Sequence, residues 1–141
     1  MRPGVQQISA DLWQGALAHA SLWTCAPHHV DVAVLMATLV EPLPDGIEHI
    51  QFPIDDNAGG CECFEAVRDL ARQIKDRRVL TVCHMGENRS GLLSALILVE
   101  RGVVPAEAVT LVQERGPHNS PTQPHSFWNP GFVQQVLTCR S

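Results

Sequence analysis

The sequence has no apolar run near the about 18 uninterrupted residues that a membrane-spanning helix needs. Its 10 lysines and arginines are scattered, with no basic block. The first absence argues against a transmembrane helix. The second argues against nucleic acid or an anionic membrane surface as partner. The opening segment Met1-Arg2-Pro3-Gly4-Val5-Gln6-Gln7 lacks the apolar core of a signal peptide. No internal repeat is found. The 5 cysteines are odd in number and have no framework spacing. Together with the missing signal, this leads us to expect reduced thiols and a cytoplasmic location. Cys25, His28 and His29 form a partial metal set that no second cluster completes, so neither metal nor cofactor is expected.

What is present suits one globular unit. The chain has 141 residues, 45% apolar composition and a formal charge of −5. A chain of this size can bury roughly 68–70% of its unfolded surface without staples. We expect a single domain over residues 1–141, acting as a monomer.

Ile8 to Trp13 reads as a first short strand, with a turn at Gln14-Gly15. Val30 to Met36 is a β-rich buried strand, and His49 to Ile54 is another. Pro42 to Gly46 has turn chemistry, and Asp55 to Gly60 is a loop. Phe64, Val67, Leu70, Ala71 and Ile74 share helical spacing, which predicts an amphipathic helix over 63–77. Its charges Glu65, Arg68, Asp69, Arg72 and Lys75 form the solvated face. Val79 to Val82 is a short buried strand. Gly91 to Val99 is apolar nearly all round, as befits a helix at the centre of a domain. Pro105 suits a first helical position, and Ala108, Val109 and Val112 give that helix its inner face. Gly116 to Pro130 is a loop of about fifteen residues, long for a compact domain. Phe132, Val133, Val136 and Leu137 mark a last helix. Strands alternating with helices predict an α/β fold, a mainly parallel central sheet flanked by helices.

The chemistry concentrates in Cys83-His84-Met85-Gly86-Glu87-Asn88-Arg89-Ser90. A strand feeds this loop and a helix leaves it, so loop N–H groups and the helix dipole favour negative charge at one spot. A cysteine at the head of such a loop is held as a thiolate. Arg89 can fork two hydrogen bonds to a phosphate. A cation at a helix start opposes the dipole unless an anion sits there. Ser90 suits a helix start in any case, and it can also hydrogen-bond a departing thiolate. Gly86 permits a tight loop.

These residues resemble the active-site signature of the protein tyrosine phosphatase superfamily, Cys-x5-Arg-(Ser/Thr), and the short chain resembles its dual-specificity branch. Gly86 falls where that family has a glycine. The family usually has His before the nucleophile, and here that position is Val82. The resemblance extends over nearly the whole chain. Ile8–Gly15 looks like the family's first strand, and Phe52-Pro53-Ile54-Asp55-Asp56 like its strand and acid loop. Val112 to Pro117 and Asn129-Pro130-Gly131-Phe132 look like two C-terminal landmarks, with a longer loop between them than usual.

The resemblance implies a protein tyrosine phosphatase-like fold and cysteine-dependent phosphatase activity. Catalytic roles fall on Cys83, Arg89, Asp56 and Ser90. Phosphate binding falls on His84, Met85, Gly86, Glu87, Asn88 and Arg89. A leaving alkoxide or phenoxide needs a proton. By the family's Pro-Ile-x-Asp pattern Asp56 is the better candidate, and Asp55 stays open beside it. Arg115 matches a family arginine that can reach a second anion, or is a plain helix-end cation.

The substrate expected is a phosphorylated protein or a small aryl phosphate. Phosphoinositide-directed relatives tend to carry lysines in the loop; Glu87 and the lack of lysine disfavour an inositol headgroup. Cys61 and Cys63 lie near the acid loop, as unpaired surface thiols or as disulfide partners for Cys83 under oxidation. His118, His125 and Trp128 border the site or only pack the long loop. A rhodanese-type loop is typically one residue shorter. The low-molecular-weight phosphatases place their acid after the cysteine. The alternative from another class is a phosphate-binding pseudophosphatase that docks phosphoproteins without turnover.

Overall fold

The computed structural model describes residues 2–18, 23, 30–38 and 45–140. Cys25, His28, His29 and residues 42–44 of the expected turn lie outside them. Val5–Ser9 (β1), Leu12–Ala16 (β2), Val32–Leu35 (β3), Glu48–Gln51 (β4) and Val79–Cys83 (β5) form one 5-stranded sheet in the order β1-β2-β5-β3-β4. Among the described residues four helices accompany it: Phe64–Ile74 (α1), Arg89–Glu100 (α2), Pro105–Arg115 (α3) and Pro130–Leu137 (α4). Every neighbouring strand pair is parallel except β1 with β2. This is the α/β architecture with a mainly parallel sheet that the sequence predicts. None of the helices is long and apolar enough to cross a membrane.

β5 is buried at every position, as a strand covered on both faces must be. α2 lies on one face. Ser90 through Val99 are all buried in it, because it packs at once on β2, β5, α1, α3 and α4. Each of its fully enclosed leucines contributes about 1.5–3 kcal/mol of burial, which is why no polar stripe is left. A buried hydroxyl pair, Thr81 with Ser94 at 2.8 Å, fixes α2 on β5. α1 buries Val67, Leu70, Ala71 and Ile74 as its spacing predicts. Its charged face is less solvated than expected, since Arg68 and Arg72 both reach Glu100 at the end of α2, at 3.5 and 3.0 Å.

The N-terminal reading needs correcting. The stretch taken as one strand ending in a turn is a hairpin of two strands. Its reversal lies at Ala10-Asp11, where Asp11 takes φ 58°, a conformation Asp tolerates better than most residues. Gln14 and Gly15 lie inside β2, where Gly15 pairs with Val82.

The long loop before α4 ends in an anchor. Phe127 is fully buried with φ 48°, a strained backbone for a bulky residue. It is held against Gly91 of α2, where even a Cβ would come within 2.8 Å of its ring. Phe127→Ala is expected to lower the unfolding free energy by about 3–5 kcal/mol, the usual cost of emptying an aromatic site. Denaturant titration measures this. A loss below about 1 kcal/mol, the size of an average substitution, would show that the anchor lies elsewhere.

Candidate active site

The loop between β5 and α2 sends its carbonyls outward. Cys83 O and His84 O accept from the N–H groups of Leu17 (2.8 Å) and Ala18 (2.9 Å), just past β2. Met85 O accepts from the Asn119 amide at 2.8 Å. Gly86 O accepts from Gln14 Nε2 at 2.7 Å, with Glu87 O more distant at 3.5 Å. Gly86 has φ +73°, and a Cβ there would lie 3.0 Å from Ala16 N and from the carbonyl carbon of Gly15. Only glycine fits that close approach to β2. Among the described residues no backbone acceptor takes the N–H groups of His84 through Asn88. Carbonyls turned outward in so tight a loop leave the N–H groups turned inward, in front of the α2 N-terminus. That concavity suits an anion.

Cys83 closes β5 and is 2% exposed. Its Sγ lies 3.2 Å from the Oγ of Ser90, itself fully buried in the first turn of α2. Arg89 is half-buried and lines a cavity of about 390 Å³ together with Thr38, Pro53, Asp55, Cys61 and Cys63. Its Nε is buried without a hydrogen-bond partner. Among the described residues it forms no ion pair. A cation so placed, against the helix dipole and with no countercharge, lacks what an oxyanion would supply.

Two asparagines hold Asp56. Asn88 Oδ1 accepts from the backbone N–H of Asn129 at 2.8 Å, so its Nδ2 faces Asp56 Oδ2, 3.2 Å away. Asn129 Oδ1 caps α4 by accepting from Gly131 N and Phe132 N, so its Nδ2 faces Asp56 Oδ1 at 2.7 Å. Both amide orientations are thus set by backbone donors at their other ends. The node fastens the loop after β4, the loop between β5 and α2 and the start of α4 together. Asp55 instead lines the cavity beside Arg89.

Of the six residues read as phosphate-binding, Arg89 alone puts its side chain on the cavity wall. His84 and Met85 are exposed. Asn88 turns to Asp56. Glu87 is 1% exposed, its carboxylate accepting from Asn119 N, Ser120 N and Ser120 Oγ, so it holds the long loop. These residues can offer an anion only their backbone.

The long-loop histidines are engaged within their own loop, His118 with Gln123 O and His125 with Ser126 O, each at 2.7 Å. Arg115 donates to Ile8 O at 3.0 Å and lines a separate depression with Gln7, Ser9 and Ala10. It stands at the end of α3 and does not line the cavity of Arg89. No group of three or more His, Cys, Asp or Glu side chains is placed to hold a metal ion among the described residues. Gln14, Asn119 and Ser120 escaped the sequence reading, and Asn129 was seen only as a landmark. Their partners lie far off in sequence, and no spacing signals them.

No protein-family model matches the sequence, and no curated protein matches it. Solved structures do. Human DUSP28 superposes with a TM-score of 0.73 at 19% identity, covering 96% of this chain and 92% of that one. A mouse putative dual specificity phosphatase, complexed with zinc tungstate, gives a TM-score of 0.70 at 18% identity over 96% and 87% of the two chains. The human tyrosine phosphatase-like serine/threonine/tyrosine-interacting protein gives 0.63 at 20% identity over 96% and 94%. Over nearly its whole length, therefore, the chain has the fold of the dual-specificity phosphatases.

Proposed function

We propose that this chain is a cysteine-dependent phosphatase, a single catalytic domain that hydrolyses phosphate monoesters through a phospho-cysteine. The substrates we propose are phosphotyrosine, and phosphoserine or phosphothreonine, in proteins, met as a monomer in the cytoplasm. The observation that carries the reading is Arg89, without a partner among the described residues, beside a loop whose carbonyls are taken up by the end of β2 and by the long loop. In this reading Cys83 attacks phosphorus in line and the ester oxygen leaves. Arg89 and the loop N–H groups hold the three equatorial oxygens, most tightly in the transition state. Asp56 gives the leaving oxygen its proton, then takes one from the water that attacks the phospho-cysteine. Ser90, 3.2 Å from the sulfur, donates to the departing thiolate.

Two observations favour other assignments. Asp55 lines the cavity and Asp56 does not, which favours Asp55 as the acid. Asp56 is also held at both oxygens by amides. With Val82 before the nucleophile, that favours the pseudophosphatase alternative, in which phosphate is bound and not turned over. Hydrolysis of p-nitrophenyl phosphate by the wild-type chain is expected, and its absence at every pH, with phosphate still bound, would establish the alternative.

Cys83→Ser is expected to abolish turnover and still bind phosphate, since the loop amides and Arg89 remain. Arg89→Lys keeps the charge and loses the fork. It is expected to slow kcat by about 10²-fold or more, the usual loss on removing a transition-state donor. A few-fold effect would make Arg89 structural.

The two acids separate by leaving group. Asp56→Asn is expected to slow an alkyl phosphate by about 10²–10⁴-fold and a good aryl leaving group far less, while Asp55→Asn leaves both nearly unchanged. The reverse pattern would assign the proton to Asp55.

A further inference from the structure

The cavity that Arg89 lines also carries two thiols that the proposed mechanism does not use. Cys61 Sγ and Cys63 Sγ are 3.3 Å apart, and both residues line the cavity with Arg89. The expectation of unpaired surface thiols is half right. Cys63 is exposed, while Cys61 is 7% exposed. Cys61 is gripped through its backbone, its N–H donating to Gln135 Oε1 at 2.8 Å and its carbonyl accepting from Gln135 Nε2 at 2.9 Å. Cys63 is the N-cap residue of α1 and its side chain makes no capping bond. One thiol is therefore fixed and enclosed, and the other is accessible and free to turn.

We propose that Cys61 and Cys63 are a dithiol modification site that closes reversibly to a disulfide on the cavity wall, with a small-molecule disulfide as the oxidant. Cys63 attacks one sulfur of the incoming disulfide, forming a mixed disulfide and releasing one thiol. Cys61 then attacks the Cys63 sulfur, forming the Cys61–Cys63 bond and releasing the second thiol. Two protein thiols are oxidised and one disulfide is reduced to two thiols, so atoms and electrons balance. The order follows from access, since the attacking thiol must meet the oxidant and Cys61 is shielded. Burial, and then the neighbouring Cys63 sulfur, push the Cys61 thiol up to about 12, which keeps it protonated and leaves the first attack to its neighbour; its own attack relies on lying beside the bond already formed. Forming the bond draws the sulfurs from 3.3 Å to about 2.05 Å. With Cys61 gripped by Gln135, the movement falls on Cys63 and the first turn of α1. The bond spans one intervening residue, Glu62, and so small a ring is strained and readily reduced. The inference does not rest on turnover, because the pair is defined by its own geometry.

The test is equilibration of the wild-type chain and of Cys83→Ser in glutathione buffers of increasing oxidised fraction. Acid quenching, alkylation and peptide mass spectrometry follow. In both proteins the peptide bearing Cys61 and Cys63 is expected to escape alkylation and to weigh two hydrogens less. Reductant should restore both alkylation sites. In Cys61→Ser, Cys63 should stop at the glutathione mixed disulfide. The proposal is overturned if the wild-type pair stays fully alkylated in the most oxidising buffer, if it carries only glutathione adducts, or if Cys83 is the partner recovered.

Discussion

A loop that is to offer its N–H groups to an anion must first dispose of its carbonyls, since each peptide carries both. Here the disposal is complete and it involves distant parts of the chain. The end of β2 takes the carbonyls of Cys83 and His84. Gln14 takes that of Gly86, and Asn119 that of Met85. The site is thus not a property of the eight-residue motif alone. Without the β2 edge on one side and the long loop on the other, the same motif would have no reason to turn its amides inward. Gly86 allows the contact on the β2 side, where it lies against the backbone of Gly15 and Ala16.

The charges around this loop are arranged unequally. Arg89 has no partner among the described residues, while Glu87, two positions earlier, is satisfied by Asn119 and Ser120. A buried carboxylate beside an anion site would repel the anion if its charge were free. Taken up by three donors in the long loop, it does structural service, fastening that loop to the segment between β5 and α2. The unsatisfied group near the cavity is then the one whose sign matches a phosphate.

The architecture was legible in the sequence because its signals are local. Strand and helix periodicities, the contiguous Cys83-to-Ser90 segment and the length of the 116–130 loop all lie within single windows. What was not legible is the support. Gln14 meets its loop partner across 72 positions, and Asn129 meets Asn88 across 41. No periodicity records such pairings. Gly15 misled for a related reason. A glycine after a polar residue reads as a turn, but here it lies inside β2 and pairs with Val82, a partner from outside the segment. The choice between Asp55 and Asp56 was hard for the same cause. The orientation of Asp56 depends on two asparagines, and on the helix that one of them caps.

Gly131, at the second position of α4, lies with its backbone directly on the backbone of Ala58, Gly59 and Gly60. There is no room for even a methyl group between the two segments. The loop after β4 and the C-terminal helix are therefore dovetailed: neither has a soft layer of side chains through which a change in one could be absorbed before reaching the other. Length variation in that loop would have to be matched by a shift of the helix start. For anyone grafting loops between proteins of this fold, these two segments form one transplantable part.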